Sequence, residues 1–108
     1  MNETEFQEQA DKTLLALERS VEDSGADIEF EMVADILTLE FGDGSRIIVN
    51  KQAAARQIWV AARSGGFHYS YDSGQALWLN DRTGGELRTE VAELASQQAG
   101  VPVILGTP

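Results

Sequence analysis

The residues of this sequence best suited to chemistry are carboxylates, which crowd one stretch near its start. Glu18 and Glu22 lie one helical turn apart. Asp27, Glu29 and Glu31 alternate with apolar residues that a strand would bury, namely Ile28, Phe30 and Met32. Carboxylate oxygens are the ligands that hard cations prefer, and acids at either spacing share a surface. The pattern favours a surface for cations or a basic protein, although a solvated acidic face fits the spacing as well.

A helix is predicted over residues 3–23, with a buried face whose members recur at spacings of three and four: Phe6, Ala10, Thr13, Leu14, Leu17 and Val21. Asp11, Glu18 and Glu22 fall within one narrow sector at the edge of this helix, so we expect a row of carboxylates. Gly25 is the expected left-handed residue at the end of the helix. The row and the acids of the following strand then form two parts of one surface.

Charge is spread unevenly along the chain of 108 residues, whose net charge is −10. Residues 1–43 hold 13 acids and 2 bases, whereas residues 44–108 hold 5 acids and 6 bases. Such a field disfavours nucleic acid and anionic membranes, and it favours cations or a basic protein surface. Since no apolar run could span a bilayer and the first ten residues lack the form of a signal peptide, we expect a cytoplasmic protein.

The composition also excludes several kinds of site. Cysteine is absent, which excludes disulfides, zinc–thiolate sites and direct ligation of an iron–sulfur cluster by this chain. The one histidine, His68, cannot supply the several imidazoles typical of a transition-metal catalytic site. No nucleophile motif is recognisable among the serines. We therefore expect a protein that is not an enzyme.

The rest of the sequence predicts short strands followed by a second helix. The strands are expected over residues 27–33, 35–41, 45–50, 56–63, 67–71 and 75–80. The second helix is expected over residues 84–100, and residues 51–55 are expected to form a connection. Residues 101–108 are expected to form an apolar tail that lies over the core. Thr83 and Glu86 have the spacing of a capping box. Short turns between the strands favour an antiparallel meander. The predicted fold class is therefore α+β, a two-layer α-β sandwich with two helices on one face of a sheet of about six strands. Residues 1–108 are predicted to form one domain.

The other face of such a sheet is open to solvent. Alternation along the fourth strand directs Ile58 and Val60 towards the helices and places Trp59 on the open face, together with His68. An exposed tryptophan among polar residues is typical of a partner-binding surface. A register shifted by one residue would bury Trp59 instead, and the pattern assigns no clear place to Trp78.

Five segments, in their order and spacing, resemble the frataxin family and its bacterial branch in particular. They are M-N-E-T-E-F at 1–6 with A-D at 10–11, L-T-L-E-F-G-D-G-S-R-I-I-V-N-K-Q at 37–52, Q-I-W-V-A at 57–61, G-G-F-H-Y at 65–69 and W-L-N-D-R-T-G at 78–84. Each segment alone is modest, but together they cover nearly the whole chain. The family fold that the resemblance implies is the α-β sandwich predicted above.

The resemblance implies an iron-binding accessory protein of iron–sulfur cluster assembly, which docks on the cysteine desulfurase and its scaffold protein as a regulator. The family's acidic ridge, expected to bind Fe²⁺ or Fe³⁺ weakly, matches these positions: Asp11, Glu18, Glu22, Asp23, Asp27, Glu29 and Glu31. Partner binding is expected at Glu18, Glu22, Asn50, Gln52, Gln57 and Trp59. A monomer is expected, with no nucleic-acid or membrane partner.

The chain departs from the usual bacterial pattern at two places in the ridge. Residues 24–26 are Ser-Gly-Ala where further acids are expected, and Leu15 lies near the acidic row of the helix. Both departures bear on the number of ions bound. Two alternatives stay open: an iron-oxidising or iron-storage protein that uses the ridge, and an acidic interaction module without a metal.

Overall fold

Two helices and six strands make up the fold in the computed structural model, which describes residues 1–106. They are α1 (Glu3–Asp23), β1 (Glu29–Val33), β2 (Ile36–Glu40), β3 (Arg46–Gln52), β4 (Gln57–Ala62), β5 (Gly65–Asp72), β6 (Leu77–Asn80) and α2 (Leu87–Ala99). The strands form one antiparallel sheet in the order of the chain. Both helices bury their apolar faces against one side of it, which confirms the predicted sandwich.

Helix α1 has the predicted bounds because its two ends carry clear signals. The Asn2 side chain caps it and accepts a hydrogen bond from the Glu5 backbone N–H, 2.8 Å away. The chain leaves the helix through Gly25, whose φ is 68°, as expected for a left-handed end. No helix within residues 1–106 is long and apolar enough to cross a membrane.

The register of the sheet decides which side chains face the helices. Leu39 pairs with Ile47 and Leu37 with Val49, and all four are buried. Ile58 and Val60 of β4 are buried on the same face, so Trp59 lies on the open face as predicted. Outermost in this sheet, β1 has one strand neighbour. Phe30 was expected to be buried but is 36% exposed, because an edge strand is covered from fewer sides.

Two further local predictions were wrong. Lys51 was assigned to a connection, but its pairing with Ile58 and its backbone N–H bond to the Asp35 carbonyl continue β3. The capping box of Thr83 and Glu86 does not form. Glu86 itself caps α2, and its carboxylate accepts from the backbone N–H groups of the next turn at 2.7 and 2.9 Å.

Trp78, which the sequence did not place, is buried on the helix face. Its ring packs edge-on against Phe6 and Tyr71, and its indole N–H donates to the Thr13 hydroxyl at 2.9 Å. The predicted tail covers the core in part, since Val103 and Leu105 are buried with the core residues. Residues 107 and 108 lie outside the described part of the chain.

A polar cluster fastens α2 to the sheet. Glu90 accepts hydrogen bonds from the Tyr69 hydroxyl at 2.6 Å, from the Asn80 amide at 2.8 Å and from the Thr83 hydroxyl at 2.8 Å. Burial alone would raise the pKa of Glu90, but these three hydrogen bonds more than offset it and lower the pKa. Burial and the adjacent Glu90 carboxylate raise the pKa of Tyr69 well above its ordinary value.

Replacing Glu90 by Gln is expected to remove stability in a pH-dependent way. At neutral pH the variant should lose about 1–3 kcal/mol of unfolding free energy, because charge-assisted bonds are lost. Since the folded-state pKa is lowered, the contribution of Glu90 is complete above the unfolded value of about 4.3 and is lost as pH falls through the folded value. Urea unfolding of both proteins across this range measures the difference.

The control is Glu93→Gln, which alters an exposed acid of the same helix. This change should leave the unfolding free energy nearly unaltered at every pH. A gap between wild type and the Glu90 variant that stays constant with pH would contradict the role given to the Glu90 charge.

Candidate functional site

The acidic ridge is defined here as seven carboxylates of α1, β1 and the loop between them: Asp11, Glu18, Glu22, Asp23, Asp27, Glu29 and Glu31. Glu18 is half-buried and the other six are exposed. Apart from Asp11, none makes a side-chain hydrogen bond or ion pair within residues 1–106. Six of the seven predicted positions therefore present unengaged carboxylates.

The helical half of the ridge is interrupted. Glu18 and Glu22 are one turn apart and form a close pair. Asp11 lies seven residues before Glu18, about 10 Å along the axis at 1.5 Å per residue. Between them on the same side of α1 stands Leu15, which is 59% exposed. The apolar side chain separates Asp11 from the other two acids.

The strand half of the ridge lies on the other face of the sheet. Phe30 pairs with Leu39 and Met32 with Leu37, so these residues of β1 point towards the helices. Alternation then directs Glu29 and Glu31 to the open face. The ridge therefore wraps around edge strand β1, with Glu18 and Glu22 in the helix layer and Glu29 and Glu31 on the opposite side.

This arrangement limits what the carboxylates can hold. Within residues 1–106 no three acidic or histidine side chains converge as they would to enclose a metal ion. Carboxylate pairs remain, at Glu18 with Glu22 and at Glu29 with Glu31, and a hard cation on such a pair would keep most of its water ligands. The ridge can attract cations or a basic surface, but it lacks the geometry for tight coordination.

Asp11 has a different environment because it binds Lys51. The Lys51 ammonium donates to the Asp11 carboxylate at 2.7 Å and to the Gln7 side-chain oxygen at 2.5 Å. It also lies 3.1 Å from the Asp35 carboxylate. Burial alone would lower the pKa of Lys51, but its hydrogen bonds and attraction to both carboxylates raise it overall. Sequence reasoning missed this contact, since the partners are 40 residues apart.

The open face brings together all four predicted partner-binding residues of the sheet. Asn50 pairs with Trp59, and Gln52 pairs with Gln57 in the next row. His68 stacks on Trp59, with ring centroids 4.4 Å apart and planes 16° from parallel. His68 therefore lies on the open face as predicted, where it covers one side of the half-buried indole.

A hydrogen-bond network fixes the Trp59 ring. Its indole N–H donates to the Gln57 side-chain oxygen at 2.8 Å, and the Gln57 amide donates to Asp81 at 2.6 Å. The Ser70 hydroxyl donates to the same Asp81 carboxylate at 2.8 Å. Alternation along β5 could have placed Ser70 with His68 on this face. No local pattern pointed to Asp81, which follows the last strand.

An apolar strip connects the network to the ridge. Val33 pairs with Ile36, and Ile36 pairs with Asn50, which continues the row that ends at Trp59 and His68. Val33 is 58% and Ile36 is 39% exposed. Sequence reasoning missed both, although the pattern carries the signal: Val33 lies two residues after Glu31 and so shares its face, and Ile36 alternates with the buried Leu37. The open face thus continues from the acids of β1 to the tryptophan.

Comparison with known proteins shows which family this chain is similar to. The sequence model of the family described as "Frataxin-like domain" matches residues 1–101 of this chain. The iron-sulfur cluster assembly protein CyaY of Paraburkholderia phymatum is 46% identical over 103 residues, which cover 95% of this chain and 96% of that protein. The protein of the same name from Vibrio vulnificus is 42% identical over 100 residues, 93% of this chain and 94% of its own length.

Solved structures agree with the sequence comparison. Frataxin from Psychromonas ingrahamii superposes with a TM-score of 0.89 at 34% identity, covering 99% of this chain and 100% of that one. Trimeric frataxin from the yeast Saccharomyces cerevisiae, complexed with ferrous iron, gives a TM-score of 0.65 at 25% identity and covers 93% of this chain and 88% of that one. The resemblance noted in the sequence is confirmed: this chain belongs to the frataxin-like family.

Proposed function

We propose that this chain is an iron-binding accessory protein of iron–sulfur cluster assembly, which docks on the cysteine desulfurase and its scaffold protein and regulates them without being an enzyme. The observation that carries the proposal is the set of six exposed or half-exposed ridge carboxylates that have no partner within residues 1–106. The names of the CyaY relatives support the assembly role.

The chemistry of the ridge supports weak iron binding. Carboxylate oxygens suit hard cations, and the pairs at Glu18 with Glu22 and Glu29 with Glu31 each offer oxygens on one surface. The ferrous complex of yeast frataxin supports iron as the cation. Because the pairs lie on two sides of β1, they are poorly arranged to build a shared iron core, which favours an accessory role over iron storage or oxidation.

Docking follows from charge and from the open face. The first 43 residues carry 13 of the 18 acids in the chain, so a basic patch on the desulfurase would be attracted to the ridge. The strip from Val33 to Trp59 offers an apolar contact bordered by polar side chains, which is the anatomy of a protein interface. We assign the scaffold protein to this strip.

Titration with Co²⁺, a paramagnetic substitute for Fe²⁺, is expected to perturb amide signals in residues 18–31 because the free carboxylates lie there. Two-dimensional NMR of the isotope-labelled protein measures the shifts. The acids of the β5–β6 turn and of α2 serve as internal controls and should stay unaltered. Perturbations spread over all exposed acids, or none at all, would favour the acidic module without a metal.

Replacing Glu18, Glu22 and Glu29 by Lys is expected to abolish binding to the desulfurase, because attraction to a basic patch becomes repulsion. Calorimetric titration measures the affinity, which in the wild type should fall as salt is added. The matched control changes Glu3, Glu8 and Glu93 to Lys, the same change of net charge on exposed acids outside the ridge. Equal losses in both variants would refute a docking surface at the ridge.

Replacing Trp59 by Ala is expected to weaken scaffold binding by about 2 kcal/mol or more, the typical loss at an interface anchor. Its own unfolding free energy should fall by only about 1–2 kcal/mol, since the ring is half-buried. Trp78→Ala is the contrasting variant, with an expected loss of about 3–5 kcal/mol for a core ring. Urea unfolding and scaffold titration test both, and unchanged scaffold affinity in the Trp59 variant would contradict the assignment.

A further inference from the structure

Lys51 places a nearly buried positive charge beside Asp11, at one end of the acidic ridge. Its side chain is only 7% exposed, whereas the Asp11 and Asp35 side chains that it contacts are each 57% exposed. An ammonium has three N–H donors. Three oxygens surround this one, from Gln7 at 2.5 Å, Asp11 at 2.7 Å and Asp35 at 3.1 Å. The charge is therefore fully coordinated within the protein.

These contacts join three elements of the fold. Gln7 and Asp11 lie one turn apart on α1, Asp35 lies in the turn between β1 and β2, and Lys51 lies near the end of β3. The Lys51 backbone N–H also donates to the Asp35 carbonyl at 3.0 Å. The turn itself is tightly bent, since Ala34 has a φ of 52°. One ammonium thus links the helical half of the ridge to the turn that ends its strand half.

We propose that Lys51 acts as a built-in cation, which latches α1 to the β1–β2 turn and closes the Asp11 end of the ridge to metal. Metal binding is thereby restricted to the part of the ridge between Glu18 and Glu31. The restriction rests on the proposed function, whereas the latch does not.

The geometry supports both parts of this proposal. A metal at Asp11 and Asp35 would have to displace an ammonium that already holds both carboxylates within 3.1 Å. Asp11 is also separated from Glu18 by the exposed Leu15, so it cannot join that carboxylate pair. If the ammonium is removed, three oxygens remain that had been arranged around a cation. Calcium, with oxygen ligands at about 2.3–2.6 Å, needs less contraction of such a site than magnesium does at about 2.0–2.1 Å.

The test replaces Lys51 by Ala, which removes the charge and leaves the space between the three oxygens empty for an ion. We expect the Tm of this variant to fall by about 4–8 °C in the presence of a chelator. Calcium chloride should then restore part of the loss at matched ionic strength, because a ligand that binds only the folded state raises its stability. Thermal unfolding followed by circular dichroism measures both effects.

Two matched variants isolate the cause. Lys12→Ala removes an exposed lysine of α1 that has no ion pair within residues 1–106, and it should leave the Tm and its calcium response as in the wild type. The double variant Lys51→Ala with Asp11→Asn should lose the part of the calcium response that exceeds that of the wild type. A Lys51 variant that loses stability without gaining a calcium response, or one with an unaltered Tm, overturns the built-in cation.

A milder variant covers the case in which the Lys51 variant does not fold. Asp35→Asn changes one exposed partner and should lower the Tm by a smaller amount, and an unaltered Tm would contradict the latch. For the restriction on metal, calcium, which is diamagnetic and perturbs only amides close to the ion, should perturb residues 18–31 of the wild type while Asp11 and Asp35 stay unaltered. If Asp11 is perturbed together with residues 18–31, the restriction on metal binding is wrong but the latch is not affected. If residues 18–31 are not perturbed at all, the proposed metal role is wrong, and the latch again is not affected.

Discussion

The packing of α1 across β1 and β3 is the interaction on which the rest of the molecule depends. Five residues of α1 are buried, among them Phe6, Leu14 and Leu17. Full burial of one such side chain contributes about 1.5–3 kcal/mol. Repulsion between neighbouring exposed carboxylates on a helix costs only a few tenths of a kcal/mol per pair. The apolar seam can therefore hold the neighbouring Glu18 and Glu22 at the helix edge without a metal to neutralise them.

The same seam places the two surfaces of the proposed function side by side. Because α1 covers one face of the sheet near its β1 edge, the acids of α1 and those of β1 lie on opposite sides of that edge. The acids of β1 then adjoin Val33 and Ile36 on the open face. A partner that contacts Trp59 would approach the strand carboxylates as well, so the proposed ion binding and docking would share part of one surface.

Local signals in the sequence predicted what local interactions determine. The bounds of α1 follow from the spacing of its buried residues and from Gly25, and the face of Trp59 follows from alternation with Ile58 and Val60. Long-range contacts were beyond such signals. Trp78 is placed by Thr13, 65 residues away, and Lys51 by Asp11, 40 residues away. Thr83 and Glu86 had the capping-box spacing, but α2 begins later, at Leu87, because Glu86 itself supplies the cap.

The pairing of Glu29 with Glu40 puts like charges directly opposite each other on the outer two strands. Arg46 lies 4.0 Å from Glu40 and compensates only the inner member of the pair. Since no strand of the described residues 1–106 lies beyond β1, its outer backbone groups are open to pairing with another chain. A second edge of the same kind would bring further carboxylates against Glu29 and Glu31, and the repulsion would oppose sheet-to-sheet growth. The acids of β1 thus also protect the protein against aggregation through its exposed edge.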